Sequence, residues 1–301
     1  MDNFSLRQLR YFEALARHGH FGRAAEACSI SQPALSVQIR DLEATIGQIL
    51  FERSARQVRL TRFGEDFAIR VRDVLRSVDE LSEMARVAGS GLSGSLRLGI
   101  IPTIAPYLLP RVIEALTAAY PDLDLHVRET ITPRLLEELG EGRLDAAIVA
   151  LPVSEPSVTE VPLFDESLLL VRPASEEDAP VPRPDALQDM RLLLLEEGHC
   201  FRDQALSFCH LAQSGRGEGL DGSSLSTLVQ MVSAGLGVTL IPEMAVPVET
   251  RSANVSLAHF PAPEPGRTVG MIWRKSSPLA ADLLGLSEVV GAAASTTRPV
   301  A

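Results

Sequence analysis

Seven apolar residues, Phe67, Val71, Val74, Val78, Leu81, Ala85 and Ala88, recur at spacings of 4, 3, 4, 3, 4 and 3. A seam kept at that period demands one long helix carrying a narrow apolar stripe, the geometry of a coiled coil. A helix lying only on its own domain shows a wider stripe. The helix is predicted to start after Thr61, a good N-cap, and to run to about Gly89, where Gly89-Ser90-Gly91-Leu92-Ser93-Gly94 breaks it as a hinge. It divides the 301-residue chain into a small head and a large body and offers its seam to a second copy.

The head reads as three short helices. Leu6, Leu9, Phe12, Leu15 and Ala16 make a first amphipathic helix, and Phe21 to Cys28 a second, with Ala24 and Ala25 small enough for a close crossing. After a turn at Ser29-Ile30, Ser31 is the N-cap of a third helix that tolerates Pro33 in its first turn. Ala34, Leu35, Ile39 and Leu42 face the core, leaving Gln32, Ser36, Gln38 and Arg40 for a nucleic-acid groove. Arg53 and Arg56, in the Arg-rich hairpin that follows, are candidates for phosphate or the minor groove. Charge supports a DNA-facing end. Residues 1–62 hold nine Arg against six acids, a balance of +3, so the other 239 residues carry −14 of the chain's total of −11.

From Ser95 short apolar strands alternate with helices, an α/β pattern. Strands are expected at 96–101, 123–128, 146–150, 168–171, 192–195, 238–241 and 269–273, and helices near 105–119, 133–141, 201–213, 224–234 and 278–290. There is no nucleotide-binding Gly-rich fingerprint, P-loop, nucleophile elbow or His/Cys cluster with metal spacing. Enzymes of the common kinds are therefore disfavoured, and neither cofactor nor metal is expected. No apolar run is long enough to span a membrane, and the first residues do not read as a signal peptide. Three cysteines make no disulfide framework, so the expected compartment is the cytoplasm.

Two of those cysteines lie nine residues apart. On one straight helix they would occupy opposite faces, roughly 13 Å apart along the axis. A disulfide needs Cα atoms about 4.4–6.8 Å apart. Thiols separated by a helix but close enough to join when it melts are a candidate redox switch. Cys200 starts the helix beside His199 and Arg202, and a helix N-terminus with neighbouring cations favours the reactive thiolate. Cys209, next to Phe208, reads as an inert buried thiol, and Cys28 as a small hydrophobe.

The motifs Phe21-Gly22-Arg23-Ala24-Ala25-Glu26, Ser31-Gln32-Pro33-Ala34-Leu35-Ser36, Gln38-Ile39-Arg40-Asp41-Leu42-Glu43, Leu50-Phe51-Glu52-Arg53 and Leu60-Thr61-Arg62-Phe63-Gly64 resemble those of the LysR-type transcriptional regulators. The resemblance implies a winged helix-turn-helix DNA-binding domain over residues 1–62, with Gln32, Pro33, Ser36, Gln38, Arg40, Arg53 and Arg56 on DNA. It implies a linker and dimerisation helix with hinge over 63–93. Residues 94–301 would form an α/β, periplasmic-binding-protein-like regulatory domain, with lobe one at 94–163 plus 268–301 and lobe two at 164–267.

Within that family the segment Gly198-His199-Cys200-Phe201-Arg202-Asp203-Gln204-Ala205, with a second cysteine at 209, resembles the peroxide-sensing branch. So do Ile101-Pro102-Thr103 and Val161-Pro162-Leu163-Phe164-Asp165-Glu166. This likeness implies Cys200 as the peroxide-reactive thiol and Cys209 as its resolving partner. Thr103, Thr132, His199, Arg202 and Asp203 would form the peroxide pocket. The implied partners are promoter DNA, a second copy and a tetramer, RNA polymerase, hydrogen peroxide as signal and a cytosolic thiol reductant. Thr132, just before Pro133, also reads as a helix N-cap. Two other readings stand beside this one: a regulator that senses a small metabolite between its lobes, with incidental cysteines, and a thiol peroxidase, which the DNA-binding head disfavours.

Overall fold

Ser5 and Gln8 fix where the first helix begins. In the computed structural model, which describes residues 4–53, 58–87, 94–183, 186–187, 190–209 and 221–295, Ser5 Oγ accepts from the Gln8 N–H at 3.2 Å and Gln8 Oε1 accepts from the Ser5 N–H at 2.9 Å. This reciprocal cap starts α1 (Leu6–His18), which ends at Gly19 in the left-handed region, φ 58°. α2 (Phe21–Ala27) and α3 (Gln32–Ile46) follow, the latter capped by Ser31 with Pro33 in its first turn, as expected. Strands β1 (Phe51–Arg53) and β2 (Val58–Leu60) pair antiparallel as the wing. Phe12, Leu15, Leu35, Ile39, Leu42 and Leu50 are fully buried and form the centre of the head.

The long helix α4 (Arg62–Val87) does two jobs. Ala68 and Val71 are buried in the head core, with Phe67 and Leu75 packed against it. A Cβ on Gly64 would overlap the Leu50 carbonyl, so this turn sits directly on the chain leading into β1. Further along, Val74 and Leu81 remain 44% and 64% exposed. The seam thus leaves the core after about three turns. The chain divides into compact units at residues 1–85 and 86–301. The expected hinge at 89–93 and the side chain of Ala85 lie outside the described residues.

The body begins β3 (Gly94–Ile100), α5 (Ala105–Ala119), β4 (Leu123–Glu129), α6 (Thr132–Gly140), β5 (Ala146–Leu151) and β6 (Val158–Pro173). It continues β7 (Leu194–Leu195), α7 (Cys200–Phe208), β8 (Asp221–Gly222), α8 (Leu225–Ser233) and β9 (Thr239–Pro242). It closes with α9 (Val246–Glu249), β10 (Val255–Ala258), β11 (Gly266–Arg274) and α10 (Ala280–Ser295). β3 pairs parallel with β4 and β5, while β11 lies antiparallel between β5 and β6. Apolar residues recur on the inner faces of these strands and helices, giving an α/β domain with two cores.

β6 joins the two cores. Its residues 158–167 pair with β11, and from Leu168 onward it pairs with β9 and β10. The hand-over between lobes therefore lies inside one continuous strand, between Ser167 and Leu168, a few residues beyond the expected boundary at 163/164. Only the end of β6, at 168–171, was expected as strand. The earlier part is interrupted in sequence by Pro162, which lacks the N–H of a ladder residue. The structure accommodates it where the register with β11 shifts between Val269 and Gly270. β10 was not expected at all, because its four residues carry little pattern.

Among the described residues no helix is long and apolar enough to cross a membrane. Trp273, buried in the first core, is the chain's single tryptophan and reports on that lobe. Replacing Leu98, fully buried in the same core, with Ala is expected to cost about 2–5 kcal/mol. Urea unfolding followed by Trp273 fluorescence reads the change, and an unshifted transition would contradict this core assignment.

Candidate functional site

The loop Glu196–His199 reaches α7 through Gly198, whose φ of 95° is left-handed. A Cβ there would lie 2.8 Å from Ile131 Cδ1, so the loop presses against lobe one. His199 occupies the N-cap position and makes no side-chain cap, and Cys200 is the first helical residue. The cysteines then part company. Cys200 is half-buried and packs against the first core, while Cys209 ends the helix fully buried in the second. Neither is joined in a disulfide, nor is Cys28. Nine residues of helix separate them by roughly 13 Å of rise.

Cys200 opens onto a narrow crevice lined by Thr103, Ile131, Thr132, His199 and Phe201 among others. It is too tight to hold a freely placed water. Two hydroxyls face it on different terms. Thr103 Oγ1 accepts from Arg267 Nη1 at 2.8 Å, and the Thr103 carbonyl accepts from Arg267 Nη2 at 3.0 Å. Arg267 Nε also donates to Glu166 Oε1 at 2.7 Å, and its guanidinium lies over the Phe201 ring, 5.5 Å from the centroid. Thr132 Oγ1, by contrast, is buried and has no hydrogen-bond partner among the described residues. Thr132 is the first residue of α6, with Ile131 in the N-cap position, so its hydroxyl does not cap the helix.

Burial lowers the pKa of His199, with Glu196 acting weakly against it. Near pH 7 the ring is therefore a neutral imidazole and carries no fixed positive charge to Cys200. The sequence had pointed to His199 and Arg202 as the cationic surroundings of that thiol. Arg202 is turned elsewhere: its Nη1 donates to the Leu195 carbonyl at 2.7 Å and to Asp221 Oδ1 at 3.0 Å, tying α7 to the β7–β8 pair. Neither Arg202 nor the exposed Asp203 lines the crevice. Thr103, Thr132, His199 and Cys200 do come together there.

Arg267 and Glu166 were not singled out from the sequence. Both fall in segments that resemble the peroxide-sensing branch, Glu166 at the end of 161–166 and Arg267 at the start of Arg267-Thr268-Val269-Gly270, but the resemblance assigned neither a role. In the structure both are buried, and their ion pair joins β11 to β6. An unpaired hydroxyl, a hydroxyl held by a guanidinium and a neutral imidazole suit a small uncharged ligand bearing oxygen donors and acceptors.

In the head, Gln32, Pro33 and Arg40 are exposed on α3, while Ser36 and Gln38 are half-buried. Arg53 ends β1 with its side chain outside the described residues. Arg56, the expected helix tail at 210–213 and the Gly-rich run at 214–219 lie outside them too.

Removing the Thr132 hydroxyl deletes a buried group with no partner, so Thr132→Val is expected to leave stability unchanged within about 0.5 kcal/mol or to raise it. Thr103→Val takes an acceptor from Arg267 and is expected to cost about 1–3 kcal/mol. Equal effects of the two variants on urea unfolding would contradict this contrast.

Comparison with known families and structures follows the same division of the chain. Residues 6–65 match the bacterial regulatory helix-turn-helix protein, lysR family, and residues 89–294 match the LysR substrate binding domain. The chain is 44% identical over 294 residues to the DNA-binding transcriptional dual regulator OxyR of Escherichia coli strain K12, covering 96% of this chain and 95% of that protein. It is 46% identical over 283 residues to a probable hydrogen peroxide-inducible genes activator of Streptomyces viridosporus, covering 92% and 90%. Among solved structures it resembles a full-length OxyR variant from Pseudomonas aeruginosa with a TM-score of 0.74 at 39% identity, covering 96% and 95%. A hydrogen peroxide-bound mutant of Corynebacterium glutamicum OxyR is similar with a TM-score of 0.65 at 35% identity, covering 98% and 94%.

Proposed function

The chain belongs to the LysR family of bacterial transcriptional regulators, and on that premise we propose that it binds promoter DNA and controls transcription in response to hydrogen peroxide. The observation that carries this reading is the placing of Cys200 and Cys209 at the two ends of one short helix, against different cores, beside the unpartnered Thr132 hydroxyl. It is a regulator, not an enzyme that turns over peroxide.

Peroxide enters as a slight motion of the lobes widens the crevice, and it exchanges hydrogen bonds with Thr132 and His199. The Cys200 thiolate attacks one oxygen, the O–O bond breaks and hydroxide leaves, so that the sulfur becomes a sulfenic acid. The Cys209 thiol then displaces the sulfenic oxygen as water and closes the disulfide. Both thiols are oxidised and one peroxide is reduced. Closing a loop of this length costs about 3 kcal/mol of chain entropy. α7 must unwind first, and at nine residues it has little helical stability of its own. Its order comes from Phe201 and Ala205 in the second core, the core that Cys209 must leave to reach Cys200. A cytoplasmic dithiol reverses the bond by exchange.

α3 would lie in the major groove, with Gln32, Pro33, Ser36, Gln38 and Arg40 towards the DNA and Arg53 and Arg56 on phosphates. The exposed seam at Val74 and Leu81 would meet the same seam of a second copy, and two such dimers would form the tetramer. Repositioned heads would then change the contact with RNA polymerase.

Cys200→Ser is expected to abolish the effect of peroxide on DNA binding or transcription while leaving binding by the untreated protein intact. A response that persists would refute the mechanism. Arg53→Ala is expected to weaken binding to all duplexes alike and to lower the slope of log affinity against log salt by about one. An unchanged slope would exclude a phosphate contact.

A further inference from the structure

The crevice beside Cys200 has one wall from each lobe. Thr103, Ile131 and Thr132 belong to lobe one, and His199 to Phe201 to lobe two. The spacing of the lobes therefore sets its width. A second set of polar contacts holds that spacing. Tyr107, on α5 of lobe one, donates its phenol hydrogen to Glu249 Oε1 of α9 at 2.6 Å. Ser226, on α8, donates to Glu249 Oε2 at 2.6 Å. Glu249 is 8% exposed, and each carboxylate oxygen receives one of these hydroxyls. The Tyr107 ring packs against the core of lobe two, and Met244 of lobe two packs against the core of lobe one.

This cluster is coupled to the site. Tyr107 follows Thr103 by one helical turn, and its N–H donates to the Ile104 carbonyl at 3.1 Å. Arg267, which holds Thr103, is close enough to act on the phenol electrostatically, against burial and Glu249. Those two effects push the phenol far above its ordinary range, so Tyr107 remains the proton donor at any physiological pH.

We propose that Tyr107, Glu249 and Ser226 form an inter-lobe latch that holds the Cys200 crevice narrow and so determines the size of oxidant it admits. The oxidant part rests on the peroxide reading above; the latch itself rests on the geometry. Hydrogen peroxide is small enough to pass with slight lobe motion. An organic hydroperoxide with a bulky substituent needs the lobes to part, which the shared carboxylate resists. Tyr107 and Ser226 are positioning residues, since neither lines the crevice.

The test uses thiol alkylation of the full-length reduced protein, with no peroxide present. Rates at Cys200 are measured by peptide mass spectrometry for iodoacetamide and for fluorescein-5-maleimide. In Tyr107→Phe the maleimide-to-iodoacetamide rate ratio is expected to rise by about tenfold or more, with Ser226→Ala giving a smaller rise. Cys209 must stay unlabelled, which separates a widened crevice from an unfolded lobe. If Tyr107→Phe labels Cys209 as well, Ser226→Ala decides the matter. An unchanged ratio in the variant that keeps Cys209 protected overturns the latch. A parallel comparison of cumene hydroperoxide with hydrogen peroxide should show the same change in preference. Failure of hydrogen peroxide to oxidise Cys200 in the unmodified protein would count against the proposed function alone, because alkylation does not depend on it.

Discussion

The buried guanidinium of Arg267 holds the regulatory domain together at its crossing point. Its side chain is fully shielded from solvent and Glu166 nearly so. A charge in such a place is tolerated only if it is paired and its remaining donors are satisfied. Glu166 supplies the opposite charge from β6, Thr103 supplies a hydroxyl and a carbonyl, and Phe201 supplies a ring face. Both crossing strands, the first wall of the crevice and the first turn of α7 are thereby fixed to one group. Losing Glu166 or Thr103 leaves the guanidinium short of partners, whereas the Phe201 ring, which satisfies no donor, can move away with α7.

Against that fixed point α7 is the weak element. It is short, it begins in a loop pressed on lobe one, and it ends in the core of lobe two. Most of its stability is borrowed from packing, which places it at the low end of the range of local unfolding energies. A chemical change at Cys200 needs to supply only the difference between two arrangements of one short segment. The rigid junction and the marginal helix are complementary: one preserves the lobes while the other rearranges.

The head was legible in sequence because its signals are local. Ser31, Pro33 and the left-handed Gly47 mark the ends of α3, and short-range periodicity marks its buried side. The cysteine spacing was equally local, and the separation it implied matches a helix with one thiol at each end. The long helix was half legible. Its period exposed the seam, but not the contribution of Phe67, Ala68 and Val71 to the head core, which depends on the whole tertiary packing. β6 was read as a short strand because a proline at a bulge looks like a break.

The chemistry around Cys200 was less legible, for a physical reason. Sequence proximity suggested Arg202 as its cation, yet that side chain points to Leu195 and Asp221. The nearby buried cation in the junction comes from Arg267, far along the chain, and periodicity carries no information about such contacts. Thr132 was visible as a hydroxyl before a proline, and only its surroundings distinguish a cap from an unpaired group facing the thiol.

Oxidation is expected to join two thiols that now pack against different cores. Peptide mapping of the full-length protein after treatment with one equivalent of hydrogen peroxide tests it most directly. The expected product is a cross-linked peptide joining Cys200 to Cys209, with Cys28 unmodified and the link removed by a dithiol. Oxidation confined to Cys200, with Cys209 remaining a free thiol in a regulator that has nonetheless responded, would contradict it.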